Sequence, residues 1–325
     1  MDKKENVVLD EAITPDMNID SSEFEWVGQD LDKSEQISRP STSFWKDAFG
    51  RLKKEKSAIV FLGILIFIIV CAIIIPIISP YTEGGQNLDW VNKGPFTSQG
   101  GNFYIFGTDE LGRDLFVRIW YGARVSLTIA FVSVLINCLI GVVYGGISGY
   151  FGGMVDNIMM RIVEIVNGIP YLLVVILLMT VMKPGMMTLI IAMVSVGWVG
   201  MARLVRGEVM RLKEQEFVIA AKSMGGSATR IIAKHLFPNV LSIIIVNLTL
   251  AIPSAIFTEA FLSFIGLGIP VPGASWGTLA QSGITNFRYY PSQLLFPAFF
   301  ISITMLSFNL LGDKLRDAFD PKLRR

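Results

Sequence analysis

The side chains that perform catalysis in other proteins are sparse in this sequence. Histidine occurs once, at His235, and the two cysteines, Cys71 and Cys138, each sit inside an apolar run. That excludes a multi-histidine metal site within the chain and implies no disulfide framework. No G-x-x-x-x-G-K-[ST] loop is present to cradle nucleotide phosphates, and neither HExxH nor a serine elbow occurs. The sequence therefore predicts no catalytic constellation, no metal site and no bound cofactor. Two features with chemical content remain. One is a lone acid, Glu259, in a long apolar run; the other is the polar segment Glu214 to Asn239, EQEFVIAAKSMGGSATRIIAKHLFPN.

Glu259 is the one acid deep in a stretch apolar enough to cross a membrane. Ionisable groups at such depth are costly and face a cavity or a partner. Glu259 is thus either a contact for a substrate ammonium group or a structural hydrogen-bonder to the glycine-rich turn that follows it. Asn137 and Asn247, also within apolar runs, are expected to bond between helices.

Within 214–239, Phe217, Ala220, Ala221 and Met224 fall at i, i+3, i+4 and i+7 and share one face of a short helix. Gly225-Gly226 ends it, because glycine takes the left-handed conformation a helix stop uses. Ser227 is placed to cap a second helix carrying Ile231, Ile232 and Leu236, and Pro238 suits the first turn of the next. This pattern fits a compact inner loop, or a docking element whose small-residue face enters a cleft on a partner. A DNA-binding helix-turn-helix is excluded, since membrane-length runs tie both ends and the unit could not enter a groove; no nucleic-acid partner is expected.

The elements that must position these residues are membrane spans. Hydrophobic residues make up 52% of the 325, charged ones 17%, and mean hydropathy is +0.55, a balance wrong for a soluble domain. Residues 1–43 carry eleven acids against four bases and no apolar period, which predicts a disordered acidic tail without the features of a cleaved signal. Residues 44–56, FWKDAFGRLKKEK, put Phe44, Trp45, Ala48, Phe49 and Leu52 on one face, as in a helix lying in the membrane interface in contact with lipid.

A first span is expected over 57–82, since about 20 apolar residues cross ~30 Å of hydrocarbon. The five Lys or Arg among residues 46–56 put its start on the cytoplasmic side. An extracytoplasmic loop over 83–124 follows. In it a helix capped by Thr108 or Asp109 is expected to run to Tyr121. Asp109, Glu110, Arg113, Asp114 and Arg118 form either a solvated ion network or the lining of a substrate entrance. Five more spans are expected in 125–313, lying near 125–150, 160–182, 184–206, 239–262 and 291–312, with the polar loop at 207–238 between the fourth and fifth. Gly141, Gly145, Gly149 and Gly153 recur every fourth residue, a ridge for close helix packing. The charge-free run 260–287 is rich in Gly and Pro and reads as the end of a span plus a folded outer loop. Six spans and a basic tail at 314–325 return both termini to the cytoplasm.

Ala220-Ala221, three residues, Gly225, then His235-Leu236-Phe237-Pro238 resembles the cytoplasmic docking loop of ABC importer permeases. The family pattern is Glu-Ala-Ala, three residues, Gly, nine residues, then Ile-x-Leu-Pro. The chain departs from it at Ile219, His235 and Phe237. FGTDELGRD (106–114), GYFGGMVDN (149–157), EAFLSFIGLG (259–268) and SWGTLAQSG (275–283) are similar to the peptide and nickel branch, C-type subunit. The resemblance covers roughly 50–320. It implies an all-α, six-span ABC type I importer permease in the cell membrane, carrying oligopeptides or dipeptides, with nickel as the alternative cargo. It further implies a second permease subunit, two cytoplasmic ATPases that bind the ATP, and an extracytoplasmic binding protein. The docking surface would comprise Phe217, Ala220, Ala221, Met224, Gly225 and Gly226. Two rivals from other classes are a secondary transporter or channel needing no ATPase, which predicts paired charges within spans and broken helices in repeat-related positions, and an intramembrane enzyme, disfavoured by the missing nucleophile and metal motifs.

Overall fold

The computed structural model describes residues 50–99 and 102–319. The acidic tail 1–43, the first part of the interfacial helix and the last residues of the basic tail lie outside the described residues. Of that interfacial helix, residues 50–54 are helical.

Helix α1, Lys56–Ile78, has 23 residues and no charge after its first. At 1.5 Å per residue it is about 34 Å long, enough to cross ~30 Å of hydrocarbon. Pro76 lies inside it and removes the amide that would bond the Ala72 carbonyl. Arg124 of the next helix replaces that donor: its Nε donates to Ala72 O at 3.2 Å and its Nη2 to Ile73 O at 3.1 Å. The guanidinium is thereby paired with backbone, as a cation within a span must be.

Helix α2, Leu115–Phe151, is a single helix of 37 residues. Asp114 caps it, accepting from Val117 N at 3.1 Å, and burial pushes the Asp114 carboxyl up to about 6. The helix expected from Thr108 or Asp109 to Tyr121 is not formed as such. Thr108 and Asp114 bridge as extended backbone, and the helix starts at Leu115 and runs through Tyr121 unbroken. Leu115, Ile119, Trp120 and Ala123 are buried and continue the packed stripe of the span, so 115–124 belongs to the second span's helix and not to the loop.

The remaining loop holds a 3-10 turn, Leu88–Trp90, and a small antiparallel hairpin of β1, Thr97–Gln99, and β2, Asn102–Tyr104, with Thr97 opposite Tyr104. The Asp109 carboxylate accepts from the amides of Leu111 and Arg113 and from Arg113 Nε at 2.7 Å. Of the five charges expected to form a network, Asp109, Arg113, Asp114 and Arg118 are buried and fix the loop from inside, while Glu110 is exposed. Gln293 Nε2 ties the loop to the last span, donating to Asn92 Oδ1 and Thr108 O.

The third span is broken. Helices α3, Gly153–Gly168, and α4, Tyr171–Met182, meet at 77° across Ile169-Pro170, where proline cannot continue a helix from the residue before it. Helix α5, Met186–Leu212, runs past the predicted end of the fourth span at 206. After it come α6, Glu216–Ser223, α7, Ala228–Ile231, and a π turn, Ile232–Leu236, leading into α8, Phe237–Leu262, which ends in a second π turn, Ser263–Leu267. The run 260–287 contains α9, Trp276–Thr285, whose 10 residues are too few to span; Ser275 and Thr278 form its capping box. Helix α10, Ser292–Phe319, is the last span. Among the described residues five helices are long and apolar enough to cross a membrane, or six with the bent α3–α4 pair counted as one.

Helices α2 and α5 run parallel in a constant offset of 60 residues: Ser133 beside Met193, Gly141 against Met201, Gly149 against Val209. A Cβ at Gly145 would collide with the Ala202 carbonyl, so the ridge is a backbone-to-backbone contact. Gly153, expected as its fourth member, lies past the end of α2 and faces open space.

Candidate functional site: a docking hairpin and a buried acid

The hairpin α6–α7 hangs from the end of α5. Its turn forms as the glycines dictate. Gly225 sits at φ +79°, and the amides of Gly225 and Gly226 return to the carbonyls of Lys222 and Ala221 at 3.0 Å. Ser227 then caps α7, accepting from Arg230 N at 3.3 Å. One edge of the hairpin is buried. Val218, Ala221, Ile231 and Leu236 pack with Val205, Val209 and Leu212 of α5 and Val240 and Ile244 of α8. The opposite edge is bare, with Phe217 43% and Met224 82% exposed and Ala220 exposed between them.

The expected four-residue face is therefore divided. Ala221 is 7% exposed and turned toward the chain's own core, so it is not free to enter a cleft on a partner. The buried line runs through Val218 and Ala221, at i and i+3, and borders the line of Phe217, Ala220 and Met224. Sequence reading missed Val218; the signal was a β-branched residue three before Ala221.

Directly above the hairpin, Arg206 of α5 makes a bidentate pair with Asp156 of α3: Nε to Oδ1 and Nη2 to Oδ2, both 2.5 Å. Ser148 of α2 donates to the same carboxylate, and Lys213 Nζ donates to Gly149 O at 3.0 Å. Three helices are thus pinned where the hairpin begins. No signal in the sequence joins two residues 50 apart.

Glu259 is 0% exposed. Its Oε2 accepts from Ser126 Oγ of α2 and its Oε1 from Ser263 Oγ of the π turn, both at 2.7 Å. Ser126 Oγ in turn accepts from Trp276 N at 3.2 Å. These bonds close α2, α8 and the start of α9 onto one point, and Ser263 lies in the turn that follows the acid. The asparagines do not bridge helices as expected. Asn247 Nδ2 donates to Ile243 O of its own helix, and Asn137 Oδ1 is buried without a partner.

The structure is thus a multi-span helical bundle bearing a glycine-turn hairpin with an exposed apolar edge. Residues 141–325 match the family of binding-protein-dependent transport system inner membrane components, and residues 43–95 match the N-terminal TM domain of oligopeptide transport permease C. The chain belongs to this family of ABC importer permeases. The dipeptide transport system permease protein of Bacillus subtilis is 53% identical to this permease over 294 residues, 90% of each chain. The oligopeptide transport system permease protein of the same organism is 49% identical over 95% of this chain and 99% of its own. That of Haemophilus influenzae is 40% identical over 94% and 97%. The secondary-transporter rival called for broken helices in repeat-related positions; among the described residues one span, α3–α4, is broken, and membership of a family of transport-system components decides against that rival.

Proposed function

We propose that the chain is the C-type permease subunit of an ATP-driven importer of oligopeptides or dipeptides. The observation that carries this reading is the 53% identity, over 90% of both chains, to a permease named for dipeptide transport. Nickel, the alternative cargo, is not favoured by relatives named for peptides.

In this reading a second permease completes the pathway, a binding protein delivers the peptide from outside, and two cytoplasmic ATPases dock on the permease hairpins. The bare edge of Phe217, Ala220 and Met224 is the docking surface, with Gly225 and Gly226 setting its angle. ATP closes the ATPase pair and moves the hairpin. Helix α5 continues into the hairpin and is locked to α2 by the glycine ridge and to α3 by Asp156, so hairpin motion is passed to these helices as one body. The pathway then opens outward to the binding protein.

Arg203, Arg206, Arg211, Lys213, Lys222, Arg230 and Lys234 concentrate around the hairpin, which supports placing it and both termini in the cytoplasm. The test has two parts. Uptake of labelled peptides in a strain deleted for this gene should depend on its return. With Cys71 and Cys138 replaced, Ser223→Cys should react with a thiol reagent only when the reagent enters the cell. Absence of peptide uptake, or labelling of that cysteine from outside, overturns the reading.

A further inference from the structure

Helices α2, α4, α5 and α8 line an open cavity of about 480 Å³, a size in the range of ~300–1,000 Å³ that holds small ligands. Gly197, Gly200 and Ser254 at its rim are exposed. Two polar atoms of its wall, Asn137 Oδ1 and Tyr171 Oη, are buried and have no hydrogen-bond partner. Buried groups of this kind are paired in nearly all native structures, so their partner is to be sought in what fills the cavity. Neither is placed by chance. A Cβ at Gly197 would collide with the Asn137 amide, so that glycine is what lets the side chain lie against α5. Tyr171 is the first residue after the break at Ile169-Pro170, and the 77° bend brings it to the cavity.

No charged side chain lines the wall; its other polar residues are Asn247, Ser254 and Thr258. Met193 and Met201 supply flexible thioether side chains that adapt to varied shapes. A wall of neutral donors and acceptors with adaptable apolar filler cannot select a charged side chain. It matches the one feature all peptides share, alternating amide N–H and C=O groups.

We propose that this cavity holds the main chain of the peptide in transit, with Asn137 Oδ1 accepting from a peptide N–H and the Tyr171 hydroxyl donating to a peptide carbonyl. The proposal rests on the peptide-import reading above. It makes Asn137 and Tyr171 substrate-binding residues and predicts that the pathway does not discriminate peptides by the charge of their side chains.

The test uses the importer co-expressed with its partner subunits and binding protein in proteoliposomes. The probes are two labelled transported peptides that differ only by Lys against Glu at one position. Asn137→Asp is expected to raise the Lys-to-Glu uptake ratio about tenfold over wild type, because an acid in a low-dielectric wall attracts one peptide and repels the other. A ratio taken from one vesicle preparation does not depend on how much permease folds. Tyr171→Phe, which keeps the ring, is expected to lower uptake of both peptides about fivefold to tenfold with ATPase recovery unchanged. If wild type transports both peptides but the ratio in Asn137→Asp equals that of wild type, the cavity is filled by something else, such as a side chain of the second permease, and this proposal fails alone. If wild type transports neither peptide, the peptide-import reading fails and takes this proposal with it.

Discussion

Asp156 receives both arms of the Arg206 guanidinium at 2.5 Å, joining α3 to the last part of α5, from whose end the hairpin hangs. The acid is buried, while the Arg206 side chain is 31% exposed, so the pair lies between a surface bridge and a core one. Hydrogen bonds to charged groups contribute ~1.5–3 kcal/mol, less where water screens them. Asp156→Ala should therefore destabilise the permease by about 1–3 kcal/mol and should lower peptide uptake more than it lowers membrane yield, because it frees α3 from the body that the hairpin moves. Thermal unfolding in detergent and uptake in the same cells check this; uptake scaling only with yield would show that the pair is structural and not coupling.

The ridge on α2 makes a sharper demand. A side chain at Gly145 meets the Ala202 carbonyl and the Arg206 amide of α5, and backbone cannot yield as a flexible side chain can. Gly145→Leu should cost at least the ~1–3 kcal/mol of overpacking and reduce assembled permease in the membrane. Gly146→Ala, whose Cβ meets nothing within 4 Å, is the control and should be neutral or slightly stabilising. Equal yields of the two variants would show that α2 and α5 do not pack on this ridge.

At Glu259 shape and charge separate. A glutamine can accept from one of Ser126 and Ser263 and donate to the other, since a hydroxyl rotates to suit. Leucine leaves both hydroxyl protons without the carboxylate that accepts them, at ~1–3 kcal/mol for each buried group. Glu259→Gln should thus retain most uptake and Glu259→Leu should lose both stability and uptake. Loss of uptake in Glu259→Gln at normal thermal stability would instead make the charge part of the substrate pathway.

What the sequence disclosed follows from how local each signal is. Charge-free runs of membrane length, the Ser227 cap, the Gly225 stop and the four-residue glycine period are all read from neighbours within a few turns, and each has its counterpart in the structure, the glycine period for Gly141, Gly145 and Gly149 but not for Gly153. The start of α2 was missed because Thr108 and Asp109 are capping types too, and only burial of Leu115 and Ile119 shows which cap acts. The break of the third span was missed because Pro170 lies among residues as apolar as any span. The inward turn of Ala221 depends on α5 and α8, which no helical wheel of α6 contains. Asn137 and Tyr171 are 34 positions apart in sequence and share a wall only through the bend.

The hairpin carries the last test, and the division of its face decides which residues to change. Phe217 and Met224 are exposed and apolar, and the reading above places them in the ATPase cleft. An aromatic anchor in an interface contributes about 2 kcal/mol or more, so Phe217→Asp should weaken docking about thirtyfold, at 1.4 kcal/mol per tenfold. Permease yield should not change, since Phe217 lies outside the hairpin's packed edge. Ala221→Asp should behave differently: an unpaired charge placed in the packed edge costs ~3–5 kcal/mol within the permease itself, so yield and docking fall together. Gly225 separates conformation from contact. Its φ is +79° and a Cβ there meets nothing within 4 Å, so the penalty of Gly225→Val is backbone strain of about 1–2 kcal/mol or more. Gly225→Asn, which tolerates that conformation, should restore uptake where Gly225→Val loses it. The measurement is ATPase recovered with the affinity-purified permease, beside peptide uptake in the same cells. Wild-type recovery and uptake in both Phe217→Asp and Met224→Asp would remove the hairpin's bare edge as the docking surface.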